Sequence, residues 1–501
     1  MGISKLWEVV DDAAEKRSLL NLATNEGFKN DNRGIRGLVI GVDISIRIKA
    51  ITAALRTAGI LNPPPKLILE RIFYQLCNFL LAPIIFVFVF DGPGRPSVKR
   101  NTRVVFREGD AELIRILKTM ILDFGFFYYE ATEAELAQLN ANDELDAIIT
   151  EDSDSLVFGA HCVVPRLPHS LPQRHPIHTG RISRPRWLIA LRLLLGGDYD
   201  DGLPGFGPKI ARALAACGFG RELVNILNSF TGVTLAQRLG DWRNELQIEL
   251  ETNRSRQLDS RHPKLAQTMP TTFPNVFVEK LYLHPLTSKS PLFSASAPDV
   301  DSWQPKQPNI SSLSSFCSEV FGWRGSKLLE KFNAVLWPGA AFKLISSPHV
   351  LYYPSQSAFA ALYDWGTRAV PRPVTKVVVL KMAKLKHYHP AFPDSPPLNI
   401  YRVGVSASNF VLLAGLAAFP AMTPGLISIP EAILAVGMRD LSLQTTGLTL
   451  ADSDSEEEAG TEDGEDDDIL EIYDTDEEDL QKAHSSLKSA TAGVVIDLTM
   501  D

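Results

Sequence analysis

The stretch Thr150-Glu151-Asp152-Ser153-Asp154 determines which fold this sequence predicts. It follows a short apolar run, Ala147-Ile148-Ile149, which is typical of a buried strand. Carboxylates at the end of a buried strand are hard to explain as packing, because a buried charge needs a partner. The stretch therefore predicts a polar site at the carboxyl end of a strand.

Three further acids follow apolar runs of strand length in the same way: Asp43, Asp91 and Asp198. Continuous apolar runs are typical of parallel strands buried on both faces, and α/β sheets bind ligands at the carboxyl ends of their strands. The pattern predicts an α/β fold with a largely parallel central sheet flanked by helices. It also predicts that the acids converge on one rim of that sheet.

An acid after a strand also has a simpler interpretation, as a helix N-cap or a turn former. That interpretation stays open for each position alone, but four such positions favour a shared site. Clustered carboxylates repel one another unless a cation neutralises them, and oxygen ligands favour Mg²⁺ or Mn²⁺ over zinc. Two such ions about 4 Å apart are a common device for phosphodiester cleavage.

At these residues the chain resembles the flap endonuclease/XPG superfamily of structure-specific nucleases. The resemblance covers residues 1–235 and rests on an ordered set of motifs: Met1-Gly2-Ile3-Ser4-Lys5-Leu6-Trp7, Gly41-Val42-Asp43, Phe90-Asp91-Gly92-Pro93, the block 133–154, Gly197-Asp198-Tyr199, and the segment 202–209. The likeness is greatest to the Holliday-junction resolvase branch, particularly its fungal members. About 40 residues separate Asp91 from Glu133, too few for the long helical arch of flap endonucleases.

The resemblance implies a PIN-like nuclease core with a helix-hairpin-helix element, acting in the nucleus on branched double-stranded DNA. It implies two Mg²⁺ ions, with Mn²⁺ as a possible substitute. The implied metal ligands are all carboxylates: Asp43, Asp91, Glu133, Glu135, Asp152, Asp154 and Asp198. Lys99 and Arg100 are singled out as catalytic residues, positively charged side chains of the arch that steady the scissile phosphate.

The expected DNA contacts are glycines and basic residues near this rim: Gly2, Arg95, Arg103, Gly205, Gly207, Lys209 and Arg212. The glycines at 205 and 207 precede a helix expected to start near Pro208, and a helix N-terminus offers backbone N–H groups to phosphate. The alternative for the basic residues after Asp91 is an ordinary solvated surface.

One departure from the family pattern concerns the second acidic motif. The family sequence resembles Ala-Pro-Gly-Glu-Ala-Glu-Ala-Glu-Leu, whereas this chain reads Glu130-Ala131-Thr132-Glu133-Ala134-Glu135-Leu136. With a two-residue deletion, Glu133 and Glu135 form the catalytic pair. Without a gap, Ala131 replaces the first glutamate and Glu133 is the second. We favour the gapped alignment, because the residues upstream of Thr132 then also fit.

The charge is unevenly distributed along the chain. The 501 residues carry a net charge of −9, but residues 451–501 hold 19 acidic residues and two lysines, a balance of −17. Residues 1–450 therefore carry +8, which fits a surface that binds phosphates. Four scattered cysteines without zinc-site spacing favour a reducing compartment. We expect no signal peptide and no membrane segment, because the longest apolar run, 79–90, is too short and contains a proline.

The sequence predicts five regions: 1–110 and 111–235 for the nuclease core, 236–340 as a helical extension, 341–420 as a smaller α+β module, and 421–501 as a linker and disordered acidic tail. The resemblance suggests a chromodomain-like identity for 341–420, with strands at Thr375–Met382 and Ile400–Val405. Residues 165–186 are expected to form a loop. In the tail, Val495, Ile496, Asp497 and Leu498 resemble a SUMO-interacting motif, as does the weaker segment 469–472.

The sequence thus predicts a metal-dependent, structure-specific DNA endonuclease most like a Holliday-junction resolvase, which would dimerise on a four-way junction to make two nicks. A 5′-flap endonuclease is the alternative within the superfamily. A catalytically inactive junction-binding scaffold is the alternative of a different class, because of the shortened acidic motif.

Overall fold

A computed structural model gives the structure of the protein, and it describes residues 2–3, 5–10, 14–31, 33–92, 98–99, 102–103, 108–131, 134–166, 174–179, 185–285, 287–288, 290, 297–347, 350–353, 358–361, 376–384, 398–416 and 425–439. The acidic tail and its SUMO-like residues, Val495 to Leu498, lie outside this range.

The first half of the chain is built on a seven-stranded sheet with the order β1-β9-β8-β7-β2-β3-β6. Its strands and a separate two-stranded hairpin, β4–β5, have these bounds: β1 Glu15–Ser18, β2 Leu38–Asp43, β3 Ile84–Asp91, β4 Val98–Lys99, β5 Thr102–Arg103, β6 Phe127–Ala131, β7 Ala147–Ile149, β8 Cys162–Val164 and β9 Arg174–Thr179. Five adjacent strands, from β8 to β6, run parallel. The predicted α/β fold with a largely parallel central sheet is confirmed.

The central parallel strands are apolar on both faces. Residues 84–90 of β3 are all buried, and so are residues 38–42 of β2. Such strands need helices on both faces to exclude water, and the intervening segments supply these helices.

The segment 165–186, predicted to be a loop, contains strand β9 and the start of a helix at Pro185. Strand β9 pairs antiparallel with β1 on one side and with β8 on the other. Its proline and histidines give no local strand signal. The strand forms because the nearby β8 and the distant β1 both offer backbone groups to pair with it.

The helices of the described residues surround this sheet and continue beyond it. Their bounds are α1 Leu6–Val10, α2 Leu19–Leu22, α3 Ile44–Thr57, α4 Pro65–Phe79, α5 Glu108–Asp123, α6 Glu135–Ala141, α7 Asp154–Val157, α8 Pro185–Leu195, α9 Pro208–Ala216, α10 Phe219–Ser229, α11 Gly232–Thr252, α12 Pro263–Thr268, α13 Val276–Leu283, α14 Ile310–Phe316, α15 Ser326–Lys331, α16 Trp337–Ile345, α17 Ser408–Leu413 and α18 Glu431–Arg439. Short π-helical turns span Ala23–Phe28, Cys317–Phe321 and Phe332–Leu336, and Val300–Ser302 is a 3₁₀ turn. None of the described helices is long and apolar enough to cross a membrane.

A second sheet lies in the later part of the chain. Its five strands are antiparallel throughout: β10 Val350–Tyr353, β11 Ala358–Ala361, β12 Lys376–Lys384, β13 Ile400–Val405 and β14 Gly425–Pro430. The strands predicted near residues 375–382 and 400–405 are confirmed.

Residues 425–439, assigned by the sequence to the linker, instead form strand β14 and helix α18. In β14, Ile427 and Ile429 are buried whereas Leu426 is exposed, so one face packs while the backbone pairs with β13. A six-residue alternation is a weak signal until a partner strand is in place, and the ordered part of the chain therefore extends further than predicted.

An aromatic cluster joins the helical extension to the sheet. Phe73 on α4 contacts Phe124, Phe321, Trp323 and Phe332, with ring centroids 5.2–6.3 Å apart. All five rings are buried. Burial of this much aromatic surface is a large stabilising contribution, so the extension forms one core with the helices of the sheet.

Candidate active site

Of the acids predicted to converge, Asp43, Asp91 and the stretch 150–154 lie at the ends of neighbouring parallel strands. Asp43 is the last residue of β2 and Asp91 the last residue of β3, and the register places Asp43 opposite Val89. Strand β7 pairs with the other side of β2 and leads directly into residues 150–154. The adjacent strands β7, β2 and β3 are therefore each followed by or end in a carboxylate at the same rim of the sheet. This follows from their direction, because the carboxyl ends of parallel strands lie at one edge.

Asp43 is both a helix cap and a member of the acidic group. Its Oδ1 accepts a hydrogen bond of 3.1 Å from the amide of Ile46, so the N-cap interpretation of this residue is correct. Burial raises the pKa of Asp43 to about 7, the Ile46 bond opposes this, and the charges of Asp91 and Asp152 raise it further. A cap alone does not require two more carboxylates nearby, so the capping role does not exclude a site.

Hydrogen bonds between its own polar groups fix the conformation of the loop after β7. The amide of Asp152 donates to Thr150 Oγ1 at 3.1 Å, and the amide of Asp154 donates to Asp152 Oδ1 at 3.1 Å. Asp154 is buried at the start of α7. Its pKa rises to about 8, chiefly because of burial and then because of the neighbouring Asp152, with a smaller contribution from Asp198.

Asp198 approaches this group from a helix, because the apolar run before it, expected to be a strand, is the end of α8. Its side chain is buried. Its amide donates to the hydroxyl of Tyr282 at 3.0 Å and, more weakly, to Asp154 Oδ2 at 3.4 Å. The Tyr282 hydroxyl donates to the same Asp154 oxygen at 2.7 Å. Sequence reasoning missed Tyr282, because it lies 128 residues after Asp154 on a helix without a recognisable motif.

Gly2 lies against the acidic loop. Its amide donates to Asp198 Oδ1 at 3.2 Å, and its φ of +84° is one that glycine adopts readily. A Cβ at this position would lie 2.4 Å from Asp152 Oδ1. The next amide, that of Ile3, donates to Ser153 Oγ at 2.8 Å. The amino-terminal segment therefore helps to hold the acids, and contact of Gly2 with DNA stays a prediction.

The glutamates of the second acidic motif are placed differently from the aspartates. Glu135 is buried at the start of α6, and its two carboxylate oxygens accept hydrogen bonds of 2.6 Å from the amide and hydroxyl of Ser288. Glu133 lies outside the described residues. Ser288 was not found from the sequence, since it lies 153 residues beyond Glu135.

Five predicted ligands lie close enough to interact through charge or hydrogen bonds: Asp43, Asp91, Asp152, Asp154 and Asp198. Among the residues the structure describes, no three His, Cys, Asp or Glu side chains are already gathered closely enough to hold a metal ion. However, Asp154 Oδ1 is buried without a hydrogen-bond partner. A buried carboxylate oxygen normally has a partner, and a hard cation such as Mg²⁺ suits a set of carboxylate oxygens. The residues present therefore fit a divalent cation in their chemistry.

The basic residues expected to contact phosphate are only partly described. Lys99 and Arg103 lie on the β4–β5 hairpin, where Lys99 pairs with Thr102 and Arg103 pairs with Val98. Arg95 and Arg100 lie outside the described residues. The roles assigned to these four residues stay predictions.

The predicted phosphate-binding turn leads into a helix, α9, which begins at Pro208 as expected, with Gly207 as its N-cap. Gly205 has a φ of +85°, and a Cβ on Gly207 would meet nothing within 4 Å. Lys209 and Arg212 are exposed on α9. The turn therefore presents open backbone and two basic side chains on one short element.

Comparison with known proteins confirms the predicted resemblance. The XPG I-region family model matches residues 128–184, which include the second acidic motif. The DNA excision repair protein ERCC-5 of Mus musculus is 30% identical over 226 residues, covering 42% of this chain and 17% of that protein. The flap endonuclease GEN homolog 1 of Mus musculus is 23% identical over 270 residues, covering 48% of this chain and 26% of that protein. The chain thus spans about a quarter or less of the length of these relatives.

Among solved structures, the Holliday junction-resolving enzyme GEN1 in complex with product DNA and a Mg²⁺ ion has the same fold. The superposition has a TM-score of 0.62 at 24% sequence identity, covering 88% of this chain and 98% of that one. This agreement confirms the PIN-like nuclease fold over most of the chain.

Proposed function

We propose that this chain is a Mg²⁺-dependent, structure-specific endonuclease that cleaves branched DNA, with Holliday junctions as its preferred substrate and 5′ flaps as further substrates. The proposal is supported above all by one observation: Asp43 interacts electrostatically with Asp91 and Asp152, and Asp154 interacts with Asp152 and Asp198. The resemblance to ERCC-5 and to the GEN homolog supports it.

The proposed metal ligands are these five aspartates together with Glu133 and Glu135. Mg²⁺ bound there would supply the positive charge that stabilises the transition state of phosphodiester hydrolysis, and Mn²⁺ would substitute for it. The chain's own part is to orient the carboxylates. Tyr282 and Gly2 do so directly, through hydrogen bonds to Asp154 and Asp198.

The proposed DNA contacts follow the same rim. Lys99 and Arg100 would steady the scissile phosphate through their positive charge, and Gly2, Arg95 and Arg103 would contact DNA beside it. Gly205, Gly207, Lys209 and Arg212 would hold a phosphate further along the duplex. Since these contacts are to phosphates, binding should depend on the shape of the DNA rather than on its sequence.

The proposal extends to the assembly and the tail. Two nicks are needed to resolve a four-way junction, so the protein would act there as a dimer. It would act in the nucleus, and Val495, Ile496, Asp497 and Leu498 would bind SUMO or SUMOylated proteins.

The proposed domain arrangement has three parts: a nuclease core at 1–235, a helical extension at 236–340 and a smaller module after residue 341.

A matched pair of variants tests the chemistry. Asp152→Ala should abolish cleavage of a labelled junction in Mg²⁺, whereas Glu151→Ala, one residue away and exposed, should cleave like the wild type. Both variants should bind the junction in Ca²⁺, which permits binding but supports little cleavage. Full activity of Asp152→Ala would remove the metal-site argument.

One observation favours a second candidate, a junction-binding scaffold without activity. Both oxygens of Glu135 are occupied by Ser288, so this expected ligand already has partners. The scaffold would bind branched DNA yet cleave no substrate in a panel of junctions, flaps and hairpins with Mg²⁺ or Mn²⁺. A single nick per cruciform plasmid, with one protein per junction by sedimentation, would instead indicate a 5′-flap endonuclease.

A further inference from the structure

The buried side chains of helix α13 include one that reaches two of the proposed metal ligands at once. The hydroxyl of Tyr282 donates to Asp154 Oδ2 at 2.7 Å and accepts from the amide of Asp198 at 3.0 Å. Its single proton is thus directed at Asp154, and one of its lone pairs receives the Asp198 N–H. The hydroxyl links the loop after β7 to the turn after α8.

This link leaves the two oxygens of Asp154 in different states. Oδ2 is occupied by Tyr282 and, at 3.4 Å, by the amide of Asp198. Oδ1 is buried and has no hydrogen-bond partner among the described residues. A carboxylate held through one oxygen cannot rotate freely, so its other oxygen keeps a fixed direction. That oxygen is the one available to a cation.

Tyr282 is itself held rigidly on every side. Its ring stacks on Phe158 at 5.4 Å with an interplanar angle of 15°, and meets the ring of Tyr199 edge-on at 5.2 Å. The guanidinium carbon of Arg192 lies 4.1 Å from the ring centroid. A Cβ at Gly197 would lie 2.2 Å from the hydroxyl oxygen, so the close approach requires glycine there.

The guanidinium over the ring is fixed in turn by two acids. Arg192 is fully buried, donates to Asp200 Oδ2 at 2.7 Å, and forms a buried ion pair with Glu279 on α13. Breaking such a pair leaves a buried charge without its partner, so the arrangement resists displacement.

We propose that Tyr282 is a positioning residue that orients Asp154 and Asp198 for divalent cations, with Phe158, Arg192 and Glu279 as its support. The inference rests on the proposed function, because it gives the site a metal to hold. Residues that orient a ligand through a hydrogen bond change metal affinity or activity by about 10- to 100-fold when they are removed.

The test removes the hydroxyl and keeps the ring. Tyr282→Phe should weaken Mn²⁺ binding, measured by calorimetry without DNA, by about 10- to 100-fold. The Mg²⁺ concentration for half-maximal junction cleavage should rise by a similar factor. Tyr128→Phe removes a hydroxyl from the edge strand β6 and should bind Mn²⁺ like the wild type. Tyr282→Phe with a wild-type melting temperature and unchanged Mn²⁺ affinity would overturn the proposal.

A second variant covers the case in which Tyr282→Phe does not fold. Phe158→Leu removes the ring that stacks on Tyr282 but keeps the Tyr282 hydroxyl. It should also weaken Mn²⁺ binding, by a smaller factor than Tyr282→Phe. Unchanged Mn²⁺ affinity would count against the proposal. A wild-type protein that binds Mn²⁺ but cleaves no DNA would refute the proposed function alone. A wild-type protein that binds neither Mg²⁺ nor Mn²⁺ would refute both.

Discussion

The amide of Gly2 donates a hydrogen bond to Asp198 Oδ1 across 196 positions of sequence, with the two atoms 3.2 Å apart. The same glycine lies against Asp152 and Ser153 so closely that it has no room for a side chain. The backbone at Gly2 is therefore part of the acidic site, although this residue has no acidic side chain.

Gly2→Ala should lower junction cleavage by about 10-fold or more while the protein stays folded, because a Cβ would displace Asp152 and a φ of +84° is unfavourable for alanine. Cleavage rates and melting temperatures measure the two effects. Ile3→Val is the control, since it keeps the neighbouring amide that binds Ser153. A Gly2→Ala enzyme with the wild-type rate would show that the site tolerates a side chain at this position.

Asp43→Asn should stabilise the protein in the absence of metal at pH 8. The folded-state pKa of Asp43 is raised from 3.8 to about 7, so between pH 4 and 7 the folded state holds a proton that the unfolded state has lost. Wild-type stability contributed by this group therefore falls as pH rises through that window. Asparagine keeps the cap on Ile46 and removes the charge, which should add about 1–2 kcal/mol at pH 8.

Melting curves in EDTA at pH 4.5 and pH 8 measure this effect, with Glu151→Gln as the exposed control. The gain from Asp43→Asn should be small at pH 4.5. The Asp43→Asn variant should no longer cleave DNA. Addition of Mg²⁺ should raise the melting temperature of the wild type but not that of this variant. Equal stability of the variant and the wild type at pH 8 would show that the buried charge of Asp43 does not destabilise the folded state.

Glu133→Gln and Glu135→Gln should each reduce cleavage strongly if the gapped alignment is correct. Ser288→Ala should reduce it by about 10-fold, because the serine holds both oxygens of Glu135. Single-turnover rates at several Mg²⁺ concentrations compare the three variants. A loss confined to Glu133→Gln, with Glu135→Gln unaffected, would favour the ungapped alignment.

Lys343→Met should stabilise the protein near pH 6. Lys343 is buried on α16 and donates to the carbonyl oxygen of Ile84 at 2.5 Å. Burial lowers its pKa from 10.5 to about 7, so between pH 7 and 10.5 the unfolded state binds the proton that the folded state has released. Stability contributed by the lysine therefore rises with pH through this window, and the full penalty applies below pH 7.

The expected gain from Lys343→Met is about 1 kcal/mol or more at pH 6 and shrinks toward pH 10. Urea unfolding at the two pH values measures it, with the exposed Lys327→Met as the control. A gain of the same size at both pH values would mean that the charge of Lys343 is not the cause.

Local sequence patterns determined the sheet and the aspartates at its rim. Apolar runs before Asp43, Asp91 and Asp152 predict parallel strands, because only a strand covered on both faces is apolar throughout. Strand direction then places each following acid at the same edge. Proline at 208 after two glycines marked the start of α9 for an equally local reason, since proline suits the first turn of a helix.

The tertiary structure alone decided which groups hold the acids. Tyr282, Ser288 and Gly2 contact carboxylates 128, 153 and 196 residues away, and nothing in their own neighbourhoods marks them. Strand β9 likewise formed where the local residues favour a loop, because β1 and β8 present their backbones to it. The spacing of apolar residues along a helix or strand indicates which of its faces is buried. A hydrogen bond between distant segments depends instead on how whole helices and strands pack together.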